Sequence, residues 1–331
     1  MPLKKRDSSI ELLRIITMFM ILLVHTNYFV FGEPTDHSMT SFLRCLFEAL
    51  TVSSVLVFML ITGYYGTRFS FSKIAGLVYQ VLFCVVVIST FYVIKKGTCQ
   101  LYDYMFWHYW FVNAYIGVVI CAPLVNVAIK SISQRQFKAF LVLFYVFLGI
   151  GEYVCGLFGG GILKGYSLIW FLYIYMIGRY LRMYPARIST TALLLLFVGS
   201  LTAHTLLLYT TLGYTDFVNP FIIIQSVCIL LLFTRLSFQS KTVNYIASST
   251  LMVYLVSMHI RLAETYKDQI RYLYESSSST AMFIVQVAVF CVGVFVCAIA
   301  LGKVCQWTWK PLSVYFTKLD DRYVTYVSKK D

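Results

Sequence analysis

Charge is what this sequence has least of. Asp, Glu, Lys and Arg account for 12% of its 331 residues, where a soluble domain carries about a quarter, so water is not the main solvent of this chain. Signatures of soluble catalysis are missing too. There is no GxSxG elbow, P-loop, HExxH pair or dinucleotide fingerprint, which removes the usual hydrolase, nucleotide and zinc-protease readings. The nine cysteines include no CxxC pair and no Cys/His cluster at zinc spacing, so they read as small hydrophobes, with no metal site. No small-x-small cleavage site follows the basic start Lys4, Lys5, Arg6, and the first apolar run is expected to remain as a membrane span. Internal repeats are absent, which counts against an inverted-repeat transporter. The longest loops, residues 32–48 and 264–279, leave no room for a separate soluble domain.

What fills the chain is apolar: 60% of residues are hydrophobic and the mean hydropathy is +0.77. Ten segments reach the length of about 20 residues that a bilayer core demands, namely 10–31, 49–66, 74–94, 109–129, 138–157, 166–184, 190–212, 219–236, 243–263 and 280–302. They are apolar on all faces and do not alternate, so they predict helices and not a barrel. Charge orients them. With the N-terminus inside, the inner segments hold 19 Lys and Arg against 5 acids, and the outer segments 7 against 9, the bias that cytoplasmic loops carry. The formal charge of +13 is therefore a topology signal, and no nucleic-acid partner is expected. The reading is an all-α integral membrane protein of about ten transmembrane helices with both termini cytoplasmic. A membrane domain covers residues 1–310, and a basic cytoplasmic tail covers 311–331.

Ionisable groups inside spans are costly and face a bundle interior by default. The first span carries Arg14 in its inner half and His25 in its outer half. Eleven residues at about 100° each come to three turns plus about 20°, with a rise of about 16 Å, which puts both side chains on one face at different depths. The alternatives are snorkelling of Arg14 beside Glu11 and a simple interhelical hydrogen bond for His25. A second group falls toward the outer side: His108, Trp110 and Asn113 in "FWHYWFVNAY", and Tyr254 and His259 in "YLVSMHI". Interface anchoring is the alternative for both histidines. His37 falls in a loop and His204 reads as a packing residue. On the inner side "ITGYYGTRFSFSK" offers Gly63 and Gly66 for a tight turn, with Arg68 and Lys73 as cations for a phosphate-bearing ligand.

These stretches are similar to the membrane-bound acyltransferase 3 family. "SSIELLRIITMFMILLVHTNYF" resembles the family's first helix, in which a basic residue and a histidine flank ten others. "VFMLITGYYG", "HYWFVNAYIGVVICAPL", "YIYMIGRYL" and "IASSTLMVYLVSMHI" match further motifs in family order over about 260 residues. Thr62 stands where the family usually has Ser. Ser257 and Met258 replace a single spacer residue, which in a continuous helix turns His259 by about 100°.

The resemblance implies a short, membrane-only O-acetyltransferase type of the bacterial cytoplasmic membrane. It implies no bound cofactor, acetyl-CoA or another acyl-CoA as co-substrate, and a cell-envelope glycan or lipid-linked sugar as acceptor. His25 is then the general base, with Arg14 beside it and Arg14, Arg68 and Lys73 at the donor end. His108, Trp110, Asn113, Tyr254 and His259 line the acceptor side. The competing readings are a transporter or flippase for a polysaccharide or lipid-linked sugar, and a non-enzymatic scaffold subunit.

Overall fold

Helix starts among the described residues are marked in the sequence by residues whose side chains accept from a free backbone N–H of the first turn, among them Asp7, Ser38, Ser70, Ser133, Ser167, Ser189 and Asn219. Ser133 adds the reciprocal bond from Gln136, and Pro220 follows Asn219 at the first helical position. The computed structural model describes residues 7–97, 109–151, 165–213 and 216–327, and every regular element among them is helical. His108 lies outside the described residues. The chain divides into two compact units, residues 1–67 with 121–247, and residues 68–120 with 248–331.

The first unit holds α1 (Ser8–Val24), α2 (Tyr28–Phe31), α3 (Met39–Thr51) and α4 (Ser53–Tyr65). Beyond the second half of α6 (Trp110–Lys130) it holds α7 (Gln134–Phe144), α8 (Leu168–Met183), α9 (Thr190–Thr211), α10 (Pro220–Phe233) and α11 (Lys241–Ala247). A π-turn over Tyr145–Ile150 extends α7. At the centre is α4, which packs on α1, α3, α8 and α10. It is apolar on every face, and ten of its 13 residues are buried, as a helix without a polar side requires. Its closest partner is α8. A Cβ on Gly63 would lie 2.2 Å from the Tyr175 carbonyl oxygen, and one on Gly178 would lie 2.5 Å from that of Leu60. The two backbones touch through reciprocal glycines, the small-residue crossing that membrane helices use. In the same unit α11 closes on α1, with Ser8 Oγ donating to Asn244 Oδ1 at 3.0 Å and accepting from Ser240 N at 2.9 Å.

The second unit holds α5 (Phe71–Lys96), the first half of α6, α12 (Leu251–Ser257), α13 (Ile260–Ser276) and α14 (Thr280–Val327). Trp309 of α14 lies against Gly76 and Tyr79 of α5, with ring centroids 5.1 Å apart for the aromatic pair. About three turns past it, Asp320 reaches the start of α5. Its carboxylate accepts from Ser70 Oγ at 2.8 Å, Phe71 N at 2.6 Å and Ser72 N at 3.2 Å.

Six helical runs are long and apolar enough to cross a bilayer: Ser8–Phe31, Met39–Tyr65, Phe71–Lys95, Trp110–Lys130, Thr190–Thr211 and Thr280–Arg322. A seventh arises if Lys241–Ser257 and Ile260–Ser276, bent by 82°, count as one. Of the other segments expected from hydropathy, 166–184 forms a 16-residue helix and 219–236 one of 14 residues, and 138–157 runs beyond the described residues.

Two expected loops are largely helical. The stretch 32–48 contains most of α3, started by Ser38, so Arg44 and Glu48 sit on a helix within the Met39–Tyr65 run. Residues 264–276 belong to α13, whose buried Ala263, Tyr266 and Ile270 recur at helical spacing on a polar background. Beyond residue 310, α14 continues through Pro311 to Val327.

Candidate functional site

His25 is the residue at which α1 ends. Its backbone is still right-handed helical, with φ −73° and ψ −2°, so the eleven-residue spacing keeps it on the Arg14 face. Thr26 N and Thr26 Oγ1 both donate to the Leu23 carbonyl, at 2.9 and 2.7 Å, and the chain restarts in α2. The imidazole lies 5.2 Å from the Phe29 ring. Its Nδ1 is buried and meets no hydrogen-bond partner among the described residues. Arg14, with 35% of its side chain exposed, pairs with Glu11 at 3.4 Å. The local pairing the sequence suggested is therefore present, and it leaves most of the guanidinium donors unused.

A polar network fixes the turn just after His25. Asn27 Nδ2 donates to Glu48 Oε2 and to the Arg44 carbonyl, each at 2.9 Å, and Arg44 Nε donates back to Asn27 Oδ1 at 3.1 Å. Glu48 also accepts from the Tyr28 N–H, at the N-terminus of α2 where a carboxylate is favoured. Arg44 covers the Tyr28 and Phe31 rings and donates to the Gly32 carbonyl. Sequence reading placed Arg44 and Glu48 in a loop; the signal that locates them is Ser38, a helix cap.

The exit of α4 separates the roles of its two glycines. Gly66 is the turn residue, at φ +71° with its N–H donating to the Gly63 carbonyl at 3.0 Å, whereas Gly63 serves the helix crossing. Beyond the turn Thr67 N donates to Tyr175 Oη at 3.2 Å, Asn126 Nδ2 donates to Thr67 O at 3.1 Å, and Tyr175 Oη donates to Asn126 Oδ1 at 2.9 Å. None of these polar groups was singled out in the sequence. Arg68 and Lys73, in the second unit, are both exposed. The backbone donors at the start of α5, between these two cations, are already taken by Asp320.

In the second unit Trp110 opens α6 and Asn113 is exposed one turn later. Tyr254 is 4% exposed, with its ring 5.4 Å from Phe111 and 6.1 Å from Tyr109. Tyr109, fully buried, donates to the Leu255 carbonyl at 2.9 Å. His259 is also fully buried. The helix stops at Ser257, so the expected 100° turn of His259 does not arise; it has extended backbone and starts α13. Its Nδ1 accepts from Arg261 N at 3.2 Å, which leaves the proton on Nε2, facing Ser89 Oγ at 3.4 Å. Nδ1 thus caps α13 at the 82° bend, and Nε2 faces α5. Asparagine caps helices as well as any residue, so His259→Asn should retain thermal stability in detergent. His259→Leu should lose about 1–2 kcal/mol. A His259→Asn protein that melts as low as His259→Leu would show that the cap is not what this imidazole contributes to the fold.

A further polar group joins α14 to the turn before α12. Lys303 Nζ donates to Ser248 Oγ at 2.7 Å, and Gln306 Nε2 donates to Ser248 O at 2.5 Å. No set of three His, Cys, Asp or Glu side chains converges as a metal site among the described residues. His37 rests edge-on against Tyr209, with centroids 5.1 Å apart, and His204 is fully buried in α9.

A family model described as an acyltransferase domain, that of acyltransferase 3, matches residues 7–303. No curated protein and no solved structure matches the chain.

Proposed function

Because the chain belongs to the acyltransferase 3 family, and is a membrane protein with an acyltransferase domain, we propose that it transfers an acetyl group from cytoplasmic acetyl-CoA to a hydroxyl of a cell-envelope glycan or lipid-linked sugar. The observation that carries this reading is His25: an imidazole at a helix break, on the face of Arg14, whose buried Nδ1 has no partner among the described residues. A sugar hydroxyl is a poor nucleophile near neutral pH and needs a base positioned to take its proton. His25 accepts that proton as the hydroxyl oxygen attacks the thioester carbonyl. The carbon–sulfur bond breaks, and the coenzyme A thiolate leaves with the proton returned by the imidazolium. Arg14 lies toward the donor end of the same face, where its free guanidinium donors suit the donor or the developing oxyanion. Arg68 and Lys73 add positive charge for the donor nucleotide, and Trp110, Asn113, Tyr254 and His259, with His108, form the acceptor side.

The same reading has ten segments crossing the bacterial cytoplasmic membrane with both termini inside. That orientation gives a donor held from the cytoplasm and an acceptor met from the other face. The test is donor dependence. Purified protein should release free thiol from acetyl-CoA only when the acceptor glycan is present, and the glycan should gain ester-linked acetyl. Movement of labelled glycan across vesicles with no thioester consumed would replace the enzyme by a transporter.

A further inference from the structure

Arg179 is a partly buried cation with no counter-charge paired to it among the described residues. It sits near the end of α8, one turn after Tyr175, and its buried Nε–H meets no acceptor among the described residues. Two other partly buried arginines of its unit each have an acceptor among the described residues: Arg14 Nη1 pairs with Glu11 at 3.4 Å, and Arg44 Nε donates to Asn27 Oδ1 at 3.1 Å. A buried donor on a charged group, left without an acceptor, is expensive in protein and more so at membrane depth.

Its surroundings are built, not loose. The guanidinium lies over the Gly66 turn so closely that a Cβ there would be 2.8 Å from Nη1 and 3.3 Å from Cζ. Glycine at 66 thus provides both the positive φ and the space for the cation. The following residue, Thr67, is held by Tyr175 on N–H and by Asn126 on C=O, so the turn cannot drift from the arginine. Arg182, three residues on, lies over the Tyr64 ring at 5.1 Å and donates to Tyr64 Oη at 3.3 Å. Two guanidinium groups therefore flank the end of α4, and the inner one has no acceptor for its Nε–H among the described residues.

We propose that Arg179, seated on the Gly66 turn, is a phosphate ligand that takes a phosphate ester of the acyl-CoA donor. This rests on the acyl-transfer reading above. Arginine is the residue for this purpose because its planar fork matches two phosphate oxygens at once. The same chemistry is offered by a phospholipid headgroup, and the experiment separates the two.

Steady-state rates are measured for wild type, Arg179→Gln and Arg179→Lys with two donors, acetyl-CoA and the phosphate-free acetyl-pantetheine, with thermal melting as a check on folding. Arg179→Gln should raise KM for acetyl-CoA roughly ten- to hundredfold, the loss of charge-assisted hydrogen bonds, and leave acetyl-pantetheine kinetics unchanged. Arg179→Lys should recover part of the effect. Equal losses with both donors would make the residue structural and overturn the proposal, as would no loss with either donor and no change in lipid response. If donor kinetics are unchanged but the variant alone loses stabilisation by added phosphatidylglycerol over a phosphate-free detergent, the phosphate ligand is the headgroup. Calorimetric titration with coenzyme A separates this idea from the catalytic one. A wild type that consumes neither donor, yet binds coenzyme A in a way that Arg179→Gln abolishes, sinks the acyl-transfer reading and keeps the phosphate site. A wild type that shows no turnover, no coenzyme A binding and no phospholipid response sinks both.

Discussion

Alanine at position 63 or 178 should leave almost no folded protein. In each case the added methyl group meets backbone: the Tyr175 carbonyl at 2.2 Å for Gly63, and the Leu60 carbonyl at 2.5 Å for Gly178. A side chain can rotate away from such a clash, but a helix backbone cannot, so α4 and α8 must separate. Overfilling a core ordinarily costs about 1–3 kcal/mol. Here the displaced element is the one on which α1, α3 and α10 also pack, so the loss should exceed that range. The measurement is recovery of monodisperse protein in detergent with its melting temperature. Gly199→Ala and Gly293→Ala are the controls, since a Cβ at either position meets nothing within 4 Å, and both should behave as wild type. A Gly63→Ala protein with unchanged recovery and melting would show that the crossing is wider than described.

His25→Ala should reduce acyl transfer by roughly 10²- to 10⁴-fold, the usual contribution of a positioned general base, with KM for acetyl-CoA little changed. The fold should survive, because among the described residues the ring makes an aromatic contact with Phe29 and Nδ1 has no hydrogen bond to lose. The turn itself is held by Thr26 and by the Asn27–Glu48 pair, which the substitution leaves in place. That separation lets a loss of rate be assigned to chemistry. A well-folded His25→Ala protein that acetylates at the wild-type rate would remove the base from the mechanism and with it the observation on which the functional reading rests.

Much of the helical content was legible because hydropathy and helix caps agree. The runs beginning near Ser8, Phe71, Trp110 and Thr190 start within a few residues of where their apolar stretches begin. Where hydropathy and capping disagree, capping is the better guide: Ser38 starts a helix through the polar "MTSFLRCLFE" stretch, which an apolar-window reading leaves as loop. Amphipathic α13 was invisible for a related reason, since a one-faced helix never gives an unbroken apolar run. The Arg14 and His25 face followed from helical geometry alone. Arg179 could not, because a cation at the end of an apolar stretch is ordinary in membrane proteins. What distinguishes it is a buried Nε–H with no acceptor among the described residues, a fact of tertiary packing. The same holds for Gly63, whose partner Gly178 lies 115 residues away in the chain.

The reach of Asp320 to the start of α5 bears on how this protein is handled. Reporter fusions and shortened versions are commonly joined just after the last apolar stretch, which here means near Trp309. A cut there would delete the acceptor for Ser70 Oγ and for two backbone N–H groups. The beginning of a 26-residue helix would be left open beside Arg68 and Lys73. Such a version would present to any anion in the preparation a binding place that the intact chain keeps closed, and affinity for nucleotides measured on it would belong to the truncation.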